Sequence, residues 1–461
     1  MDPMYRAPTS YAHTRPTSVP VSRPHREPLS SIQAEVGSAY TDANFYVPDA
    51  YHAPRNGPAV RFKTPSPSPE PPRPLRYAAY VTTSRIPQPC SPPAPTARPR
   101  HANSAGGIAP RRVGPLRLVR TLNSGAFGRA YAAHDTGAGL IVCVRVTEKK
   151  RLQAEDAIRM HGLLIEVLCH KIIAASAPQD RAHLMEMHGI LQDDQQLLHV
   201  MPLMHCDLLS VVRGPCDKAL TRRWIAQLAL GIDALHRMGI IHRDIKPENV
   251  LLDGPDGNVR ITDFNAAFVC HSNEPVEDGA VYGRDKPGSQ PYMAWEVVQR
   301  RWHGKMIDWW SLGCLMYDLV TGKLLFRNES KIEKYIKWDP RTEGKSYLSR
   351  HFRLSEEEES VLTGLLKISP CERWQLRHLR YHAYFLDQHR ANVFDMLLRE
   401  APVDLLTDRR APRPEELEVE RKLRDAPLCN AALLPRVYED PRGTQDFSAF
   451  AWVNPHGLYR V

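Results

Sequence analysis

Short apolar runs separated by polar or glycine-containing turns predict a small β-sheet near residue 120 and beyond. Leu118–Leu122 is read as a strand and Ala130–Ala133 as the strand that returns from it, followed by Ile141–Val146. Another strand is predicted around residues 197–200, and a last β-like run at residues 259–262. The spacing therefore indicates a sheet built mainly from neighbouring hairpin strands.

A helix is predicted between the third and fourth of these strands. In residues 162–170 the apolar side chains of Leu164, Val167 and Leu168 fall on one face at helical spacing. The same segment carries Glu166. Glutamates are common on surface helices, so this pattern alone gives Glu166 no role.

The first hundred residues differ in composition from the rest of the chain. They hold 21 of the 40 prolines and few aliphatic runs, so they cannot bury enough apolar surface to offset the entropy of ordering. We therefore expect residues 1–112 to be a disordered leader. The whole chain is 42% hydrophobic, which is too little for packing throughout and too much for complete disorder.

Positive charge is concentrated in the same leader. Residues 1–112 contain 14 Lys/Arg and 6 Asp/Glu, a net of +8 against +9 for the whole chain. The basic pI of 9.0 is thus no sign that the folded part binds nucleic acid, and no nucleic-acid partner is expected. Three hydroxyl–proline pairs at residues 64–69 suit proline-directed kinases, and their flanks suit polyproline-recognising partners. Proline-rich composition alone also produces such runs.

Cysteine usage and hydropathy restrict the compartment. The nine cysteines are scattered without a Cys-x-x-Cys pair, which favours neither a disulfide framework nor a zinc site. No apolar run approaches the roughly 18 residues that a membrane span needs. The amino terminus shows no secretory signal. We therefore expect a cytoplasmic or nuclear protein.

The strongest functional signal is residues 242–249, His-Arg-Asp-Ile-Lys-Pro-Glu-Asn. This run resembles the catalytic loop of the protein kinases. The resemblance implies that Asp244 accepts the proton of the substrate hydroxyl, that Lys246 steadies the transferred phosphoryl group and that Asn249 binds magnesium. A lysine at this place is similar to the serine/threonine branch of the family.

A second family motif follows the predicted strand at residues 259–262. Asp263-Phe264-Asn265 resembles the magnesium-binding Asp-Phe-Gly, with Asn265 in place of glycine. Asp263 is the second expected metal ligand, because a hard divalent cation takes carboxylate oxygens. Asparagine tolerates positive φ better than most residues, so we expect Asn265 to allow the same backbone and metal binding to be kept.

Residues 123–128 resemble the glycine-rich loop that covers the ATP phosphates. Asn123 stands for the first glycine and Ser124 follows it, while Gly125 and Gly128 remain where the backbone approaches the phosphates closely. Phe127 is expected at the tip of the loop.

Arg145 stands where the family has the lysine that pairs the phosphates with a helix glutamate. A guanidinium is longer, planar and permanently charged, although it can bridge phosphate and carboxylate. We expect weakened nucleotide positioning, with Glu166 as the partner and Glu155 as the second choice. Lys149 and Lys150 are expected to be solvated.

The resemblance places the hinge that binds adenine at Met201 to Leu203. Asp207 resembles the acidic residue that meets ribose and basic substrate side chains. Capping a helix is an equally supported role for Asp207.

Residues 288–296 resemble the end of the family's activation segment. Ser289 is expected to bond the catalytic Asp and Lys, and Glu296 to form a buried ion pair with Arg373. Asp308 is expected to tether the backbone of the catalytic loop.

Residues 447–452 resemble the hydrophobic motif of the AGC kinases, whose aromatic side chains press the glutamate helix inward. Ala451 stands where that motif carries a phosphorylatable hydroxyl. An ordinary docking patch is the alternative. Asp285 stands where AGC kinases have an activating phosphothreonine, and we hypothesise that it meets Arg243 without modification. A solvated aspartate is the alternative here.

These features together predict an α+β class, a bilobal protein kinase-like fold. A small antiparallel β lobe with one main helix is expected at residues 113–203 and a larger, mainly helical lobe at 204–385. An AGC-like tail is expected at 386–461. The implied function is an ATP- and Mg²⁺-dependent serine/threonine kinase acting on protein substrates.

Two other functions compete with this one. Asn123, Arg145, Asn265 and Trp295 depart from the family and favour a pseudokinase that binds nucleotide or acts as a scaffold. An interaction protein that works through its proline-rich leader is compatible with either.

Overall fold

A seven-stranded antiparallel sheet forms the smaller of two lobes in the computed structural model. Its strands are β1 Arg112–Val113, β2 Leu116–Gly125, β3 Gly128–Asp135, β4 Leu140–Glu148, β5 Gly189–Gln192, β6 Gln196–Pro202 and β12 Trp452–Val453. Their spatial order is β1-β2-β3-β4-β6-β5-β12. The four strands predicted between residues 118 and 200 are therefore present in this sheet, with longer bounds, whereas the run predicted at 259–262 forms a shorter strand in another sheet.

The structure describes residues 112–113, 116–125, 128–149, 152, 157–193, 195–254, 257–270, 274–344, 346–403, 406, 450 and 452–456. The predicted leader lies outside these residues except for Arg112. Phe127, Lys150, Glu155 and Phe447 also lie outside them.

Alternating burial gives the sheet two apolar faces. On one face Val142 and Val144 of β4 pack with Leu198 of β6. On the opposite face Ile190 of β5 and Leu197 of β6 belong to a second cluster. This is the alternation expected where successive side chains of a strand point to opposite sides.

Helix α1, Ala157–Ala175, lies between the second cluster and the larger lobe. Leu164 and Val167 pack with the sheet, whereas Leu168 packs into the core of the larger lobe. The helical spacing predicted for these three residues is confirmed, and the side of the helix that they share contacts both the sheet and the larger lobe. The helix is covered from both sides, and a helix in that position is apolar on more than one face.

The larger lobe is mainly helical. Its helices, starting with the one after α1, are α2 Pro178–Arg181, α3 Lys218–Arg237, α4 Trp295–Val298, α5 Met306–Thr321, α6 Glu329–Lys337, α7 Pro340–Glu343, α8 Glu356–Leu365, α9 Leu376–Leu379 and α10 Val393–Arg399. Two small antiparallel sheets accompany them, one of β7 Cys206–Asp207, β9 Val250–Leu252 and β10 Val259–Ile261, the other of β8 Ile240–Ile241 and β11 Phe268–Val269. The predicted bilobal α+β class is confirmed.

Helix α5 is the centre of the larger lobe. All 16 of its residues are buried, among them Trp309 and Trp310 with no exposed surface. A side chain in its first turn is therefore held by the whole core. Within the described residues, none of the helices is both long and apolar enough to cross a membrane.

The carboxy-terminal segment returns to the smaller lobe. Trp452 pairs with Ile190 and Val453 with Gly189, so β12 extends the sheet beside β5. Phe450, 1% exposed, packs in the cluster that contains Val167 of α1. Phe450 of the aromatic motif thus packs against the helix that carries Glu166.

Asparagine 454 fixes this segment at its far end. Its backbone N–H donates to the His188 carbonyl at 3.0 Å, and its side-chain Nδ2 donates to the Met187 carbonyl at 2.9 Å. Because Asn454 is 1% exposed, both bonds are shielded from water.

Candidate active site

Residues 242–249 form a loop between β8 and β9 that Asp308 holds by its backbone. The amide groups of His242 and Arg243 donate to the Asp308 carboxylate at 2.9 and 2.8 Å, and the His236 ring lies 2.9 Å from it. Burial favours a raised pKa for Asp308, but these donors outweigh burial and hold its pKa below the ordinary value. The tether predicted at Asp308 is present, anchored in the first turn of α5.

Three predicted catalytic side chains converge within this loop. Lys246 Nζ donates to Asp244 Oδ2 at 2.7 Å and to Ser289 Oγ at 2.7 Å. Asn249 Nδ2 donates to the Asp244 carbonyl at 2.9 Å and to Asp244 Oδ2 at 3.1 Å. Asp244 Oδ1 is buried and receives no hydrogen bond from the described part of the chain. Ser289 meets Lys246 as expected, but among the described contacts it does not reach Asp244.

The two predicted magnesium ligands lie on neighbouring segments. The Thr262 amide, directly before Asp263, donates to the Asn249 carbonyl at 3.0 Å. The His242 ring lies 2.9 Å from the Thr262 carbonyl and joins the same two segments again. Since Asn249 Nδ2 donates to two oxygens of Asp244, the amide oxygen is the atom of this side chain that can ligate a cation.

Asp263 has the unusual backbone of this region. Its φ is 64°, in the left-handed range, whereas Asn265 lies in a short 3₁₀ turn at residues 264–266. The expectation that positive φ falls on Asn265 is therefore wrong. The left-handed conformation falls on Asp263, two residues after β10 ends at Ile261, where the chain turns sharply.

Phe264 is fully buried between two imidazole rings. The His170 ring of α1 lies 5.2 Å from it and the His242 ring 5.4 Å, both edge-on. Burial lowers the pKa of His170 to about 3, with a smaller effect from Arg145. The ring is therefore neutral and acts as an apolar spacer between α1 and the metal-binding segment.

Arg145 of β4 and Glu166 of α1 form a buried ion pair. Burial favours loss of the Arg145 proton, but the Glu166 carboxylate outweighs burial and raises the pKa of Arg145. Arg145 Nε is buried and has no acceptor among the described residues. The structure brings together the pair predicted from sequence, with a second edge of the guanidinium left for a phosphate. Lys149 is 2% exposed, so the prediction that it is solvated is wrong. Its backbone N–H donates to the Gln195 carbonyl at 2.8 Å beside the sheet.

The predicted glycine-rich loop is shorter than expected. Strand β2 continues through Asn123 and Ser124 to Gly125, and β3 starts at Gly128, which pairs with Gly125. Gly128 has a φ of 133°, and a Cβ there would lie 2.2 Å from the Val146 carbonyl oxygen. Only glycine fits this position, so the backbone of β3 approaches β4 closely next to Arg145.

The predicted hinge follows β6. Met201 lies in β6 opposite Cys143 of β4, and Leu203 follows the strand end at Pro202. Asp207 Oδ1 accepts from the Ser210 amide at 2.8 Å and from the Ser210 hydroxyl at 2.5 Å. The helix-capping role of Asp207 is observed, and its contact with ribose or substrate stays a prediction.

The activation segment is attached to the catalytic loop through charge and close packing. Arg243 Nη1 lies 3.0 Å from Asp285 Oδ2, which is the contact hypothesised from sequence. Gly288 has a φ of 85°, and a Cβ there would lie 2.4 Å from the Arg243 carbonyl oxygen. The segment therefore lies directly on the loop that carries Asp244.

Two further pairs hold this segment to the larger lobe. Arg373 donates to Glu296 at 2.7 and 3.1 Å, and its side chain has no exposed surface. Tyr292 Oη donates to Asp318 Oδ2 at 2.6 Å. The Glu296–Arg373 pair was expected from the motifs.

Sequence reasoning missed three residues of the region: Asp318, Asn454 and the side chain of Asn265. Asn265 Nδ2 donates to Asp263 Oδ1. Burial raises the pKa of Glu166, and the nearby Asn265 side chain partly offsets this effect. The replacement of glycine by asparagine was a visible signal, but it was interpreted only as a change in backbone freedom.

Comparison with known proteins agrees with this geometry. Residues 116–385 match the family described as Protein kinase domain. The human Ribosomal protein S6 kinase alpha-2 is 30% identical over 266 residues, which are 56% of this chain and 33% of that protein. The mouse Ribosomal protein S6 kinase alpha-6 is 30% identical over 280 residues, 58% of this chain and 34% of that protein.

A further relative is the Caenorhabditis elegans G protein-coupled receptor kinase 1. It is 28% identical over 285 residues, 60% of this chain and 42% of that protein. The chain thus aligns with only a third to two-fifths of the length of these relatives. Because the family match covers more than half of this chain, the chain belongs to the protein kinase family as a divergent, AGC-like member.

Proposed function

We propose that this chain is an ATP-dependent protein serine/threonine kinase, which transfers the γ-phosphoryl group to Ser or Thr hydroxyls of proteins. The observation that supports this most is the arrangement around Asp244. One carboxylate oxygen accepts from both Lys246 and Asn249, while the other is buried and receives no hydrogen bond from the residues that the structure describes. A scaffold has no need for such an acceptor beside a lysine and two metal-ligand side chains.

Asp244 acts as the base through this second oxygen. A substrate hydroxyl that donates to Oδ1 is oriented for attack, and its proton has an acceptor within the loop. Lys246 neutralises charge on the transferred phosphoryl group, and Ser289 holds the lysine from the activation segment at 2.7 Å. The chain's contribution is mainly positioning, as in phosphoryl transfer generally.

Asn249 and Asp263 are the residues that would hold magnesium. An amide oxygen and a carboxylate suit a hard divalent cation. When bound, the ion neutralises the β- and γ-phosphate oxygens. The buried, unpartnered Nε of Arg145 fits the same nucleotide, because a phosphate oxygen satisfies it while Glu166 keeps the other edge.

The remaining nucleotide contacts come from the smaller lobe. The backbone between Met201 and Leu203 offers donor and acceptor groups for adenine, and Asp207 lies close by for ribose or a basic substrate side chain. Asn123, Ser124, Gly125 and Gly128 cover the phosphates from the β2–β3 turn. The kinase family pattern assigns these nucleotide contacts to these positions of the chain.

Protein substrates follow from the reaction proposed. The leader at residues 1–112 is proposed to meet polyproline-recognising partners or proline-directed kinases. We propose a cytoplasmic or nuclear location and domain limits at residues 112 and 385.

The second candidate is a pseudokinase. Arg145 in place of lysine, Asn265 in place of glycine and Trp295 in place of proline favour it. In that case nucleotide binds through Arg145 and Asp263 without turnover.

Magnesium-dependent ATP turnover by the purified full chain separates the two candidates. The kinase proposal expects turnover in the wild type, loss in Asp244→Asn and a gain in Arg145→Lys. Nucleotide binding without turnover in all three proteins favours the pseudokinase.

A further inference from the structure

Asn265 is the site residue for which the family pattern offers no role, because the family has glycine there. Its Nδ2 donates to Asp263 Oδ1. Glu166, the partner of Arg145, has a pKa raised by burial, and the nearby Asn265 side chain partly offsets this effect. One amide therefore bonds the proposed metal ligand and lies beside the carboxylate that positions the nucleotide-binding arginine.

Glu166 and Asp263 carry like charges close together. Glu166 is 2% exposed, so water does little to screen it. Two carboxylates in such a place repel each other unless donors or cations lie between them. A neutral amide group has two N–H donors and can satisfy one oxygen of each carboxylate without adding charge.

The backbone that carries this amide is fixed on both sides. A Cβ at Gly162 of α1 would lie 3.0 Å from the Asn265 carbonyl oxygen, so α1 packs directly on it. Phe264 is buried with no exposed surface, next to rings of His170 and His242. The Ala266 carbonyl accepts from Arg243 Nε at 2.7 Å. A side chain on such a segment has little freedom to swing away from its two partners.

We propose that Asn265 is a positioning residue that orients Asp263 for magnesium by bridging it to Glu166. The bond to Oδ1 fixes the carboxylate rotamer and leaves Oδ2 as the oxygen for the metal. The inference rests on the magnesium–nucleotide site of the proposed function, but not on phosphotransfer. It has an unexpected consequence. Restoring the family's glycine weakens the magnesium site, because glycine has no amide to bridge the two carboxylates.

Thermal unfolding of the full chain tests this without relying on activity. The increase in Tm caused by a non-hydrolysable ATP analogue is measured as free Mg²⁺ is titrated, and again in EDTA. The variants are Asn265→Gly and Asn265→Ala, which both lose the amide. Asn328→Gly is the matched control, because Asn328 is a helix N-cap where glycine is tolerated.

The bridging role predicts that the half-saturating Mg²⁺ concentration rises about tenfold or more in both Asn265 variants, as for lost outer-shell partners of metal ligands. The nucleotide shift in EDTA stays as in the wild type, and the control matches the wild type throughout. If Asn265→Gly fails to fold, the half-saturating Mg²⁺ concentration of Asn265→Ala alone tests the bridging role.

An unchanged or lower half-saturating Mg²⁺ concentration in the Asn265 variants overturns the inference. A loss of Tm that is equal with and without Mg²⁺ also overturns it, because it shows a merely structural role. A wild type that is stabilised by Mg²⁺–nucleotide but lacks turnover contradicts phosphotransfer alone. A wild type without any Mg²⁺-dependent stabilisation contradicts both proposals.

Discussion

Arg243 joins three parts of the site through one guanidinium. Nη1 lies 3.0 Å from Asp285 Oδ2 and Nε 2.7 Å from the Ala266 carbonyl, directly after the metal-binding motif. The His303 ring lies 3.7 Å from Asp285 on its other side. A carboxylate supplies about one negative charge here without modification, where a phosphate supplies about −1.5 to −2. Asp285 is therefore suited to hold the activation segment permanently.

Replacing Asp285 with alanine is expected to lower kcat while Tm changes little. The Asp285 side chain is 56% exposed, and exposed ion pairs contribute roughly 0–1 kcal/mol to stability. Arg243 loses an anchor, and a small displacement of catalytic groups costs about 10- to 100-fold in rate. Steady-state kinetics and thermal unfolding measure both effects, with Asp233→Ala as a control at another exposed Asp–Arg pair. Unchanged activity in Asp285→Ala leaves Asp285 a solvated loop residue.

Asp318 predicts a pH dependence of stability. Burial raises its pKa from 3.8 to about 8, against the bond from Tyr292 and with a further contribution from Glu248. In the unfolded chain this carboxyl loses its proton near pH 4, whereas the folded chain keeps the proton until about pH 8. The contribution of Asp318 is therefore greatest below the unfolded pKa and is lost as pH rises through the folded pKa.

The Asp318→Asn variant removes this dependence. Each pH unit in which only the folded carboxyl holds its proton costs about 1.4 kcal/mol. Relative to the wild type, the variant should gain about 2 kcal/mol of unfolding free energy between pH 6 and pH 8. Urea unfolding at the two pH values measures the difference. If the difference in unfolding free energy between the two proteins is the same at pH 6 and pH 8, Asp318 is ionised throughout this range.

Residues in short motifs were predictable because their geometry is local. Asp244, Lys246 and Asn249 lie within one short loop, so their spacing in sequence already places their side chains close together. The proximity of Asn265 to Glu166 brings two distant segments together and depends on how α1 packs on residues 264–266. No local pattern encodes that packing, so sequence could show the substitution but not its partner.

At the scale of elements, the smaller lobe is completed by a strand from the far end of the chain. β12 pairs with β5 over Trp452 and Val453, and Phe450 contacts the cluster under α1. Gly189 allows this approach, because a Cβ there would lie 2.7 Å from the Trp452 carbonyl oxygen. Phe450 and Trp452 thereby pack beside the helix that carries Glu166.

Gly189→Ala is expected to displace β12 from the sheet. The added methyl meets backbone, which cannot move aside as a flexible side chain does. Amide hydrogen exchange of residues 452–454 should speed up and Tm should fall, with Gly214→Ala as control because a Cβ at Gly214 meets nothing within 4 Å. Unchanged exchange in Gly189→Ala contradicts the pairing.

Element types were predicted better than element limits. Short apolar runs predicted β4 and β6, but the β2–β3 connection was set too long, since glycines suggested a loop where Gly125 and Gly128 pair. Helix α1 was predicted with one apolar face. Its second apolar face packs against the larger lobe, whose residues lie far from α1 in the sequence. The local spacing of apolar residues therefore could not show why that face is apolar.

At the scale of the molecule, the larger lobe is held by a buried core around α5 and by the buried ion pair of Glu296 and Arg373. Arg373 has no exposed side-chain surface and donates to Glu296 and to the Met306 carbonyl. Removing one partner of such a pair leaves an uncompensated charge in the interior. The end of the activation segment is thereby tied to the same core that anchors Asp308.

Glu296→Gln is expected to destabilise the chain by about 3–5 kcal/mol, since Arg373 stays buried without its counter-charge. Denaturant unfolding measures this loss, with Asp395→Asn as control at an exposed pair with Arg380. A loss of unfolding free energy similar to that of the control shows that the hydrogen bonds from Arg373 to backbone carbonyl groups are sufficient to stabilise its buried charge.

The proposed kinase activity depends most on Asp244 as the base of the phosphoryl transfer. The direct measurement is transfer of radiolabel from γ-³²P-ATP to serine and threonine peptides by the full chain and by Asp244→Asn. We predict magnesium-dependent labelling by the wild type and a loss of about 100-fold or more in the variant. Labelling that is absent in the wild type, or equal in both proteins, contradicts the proposed function.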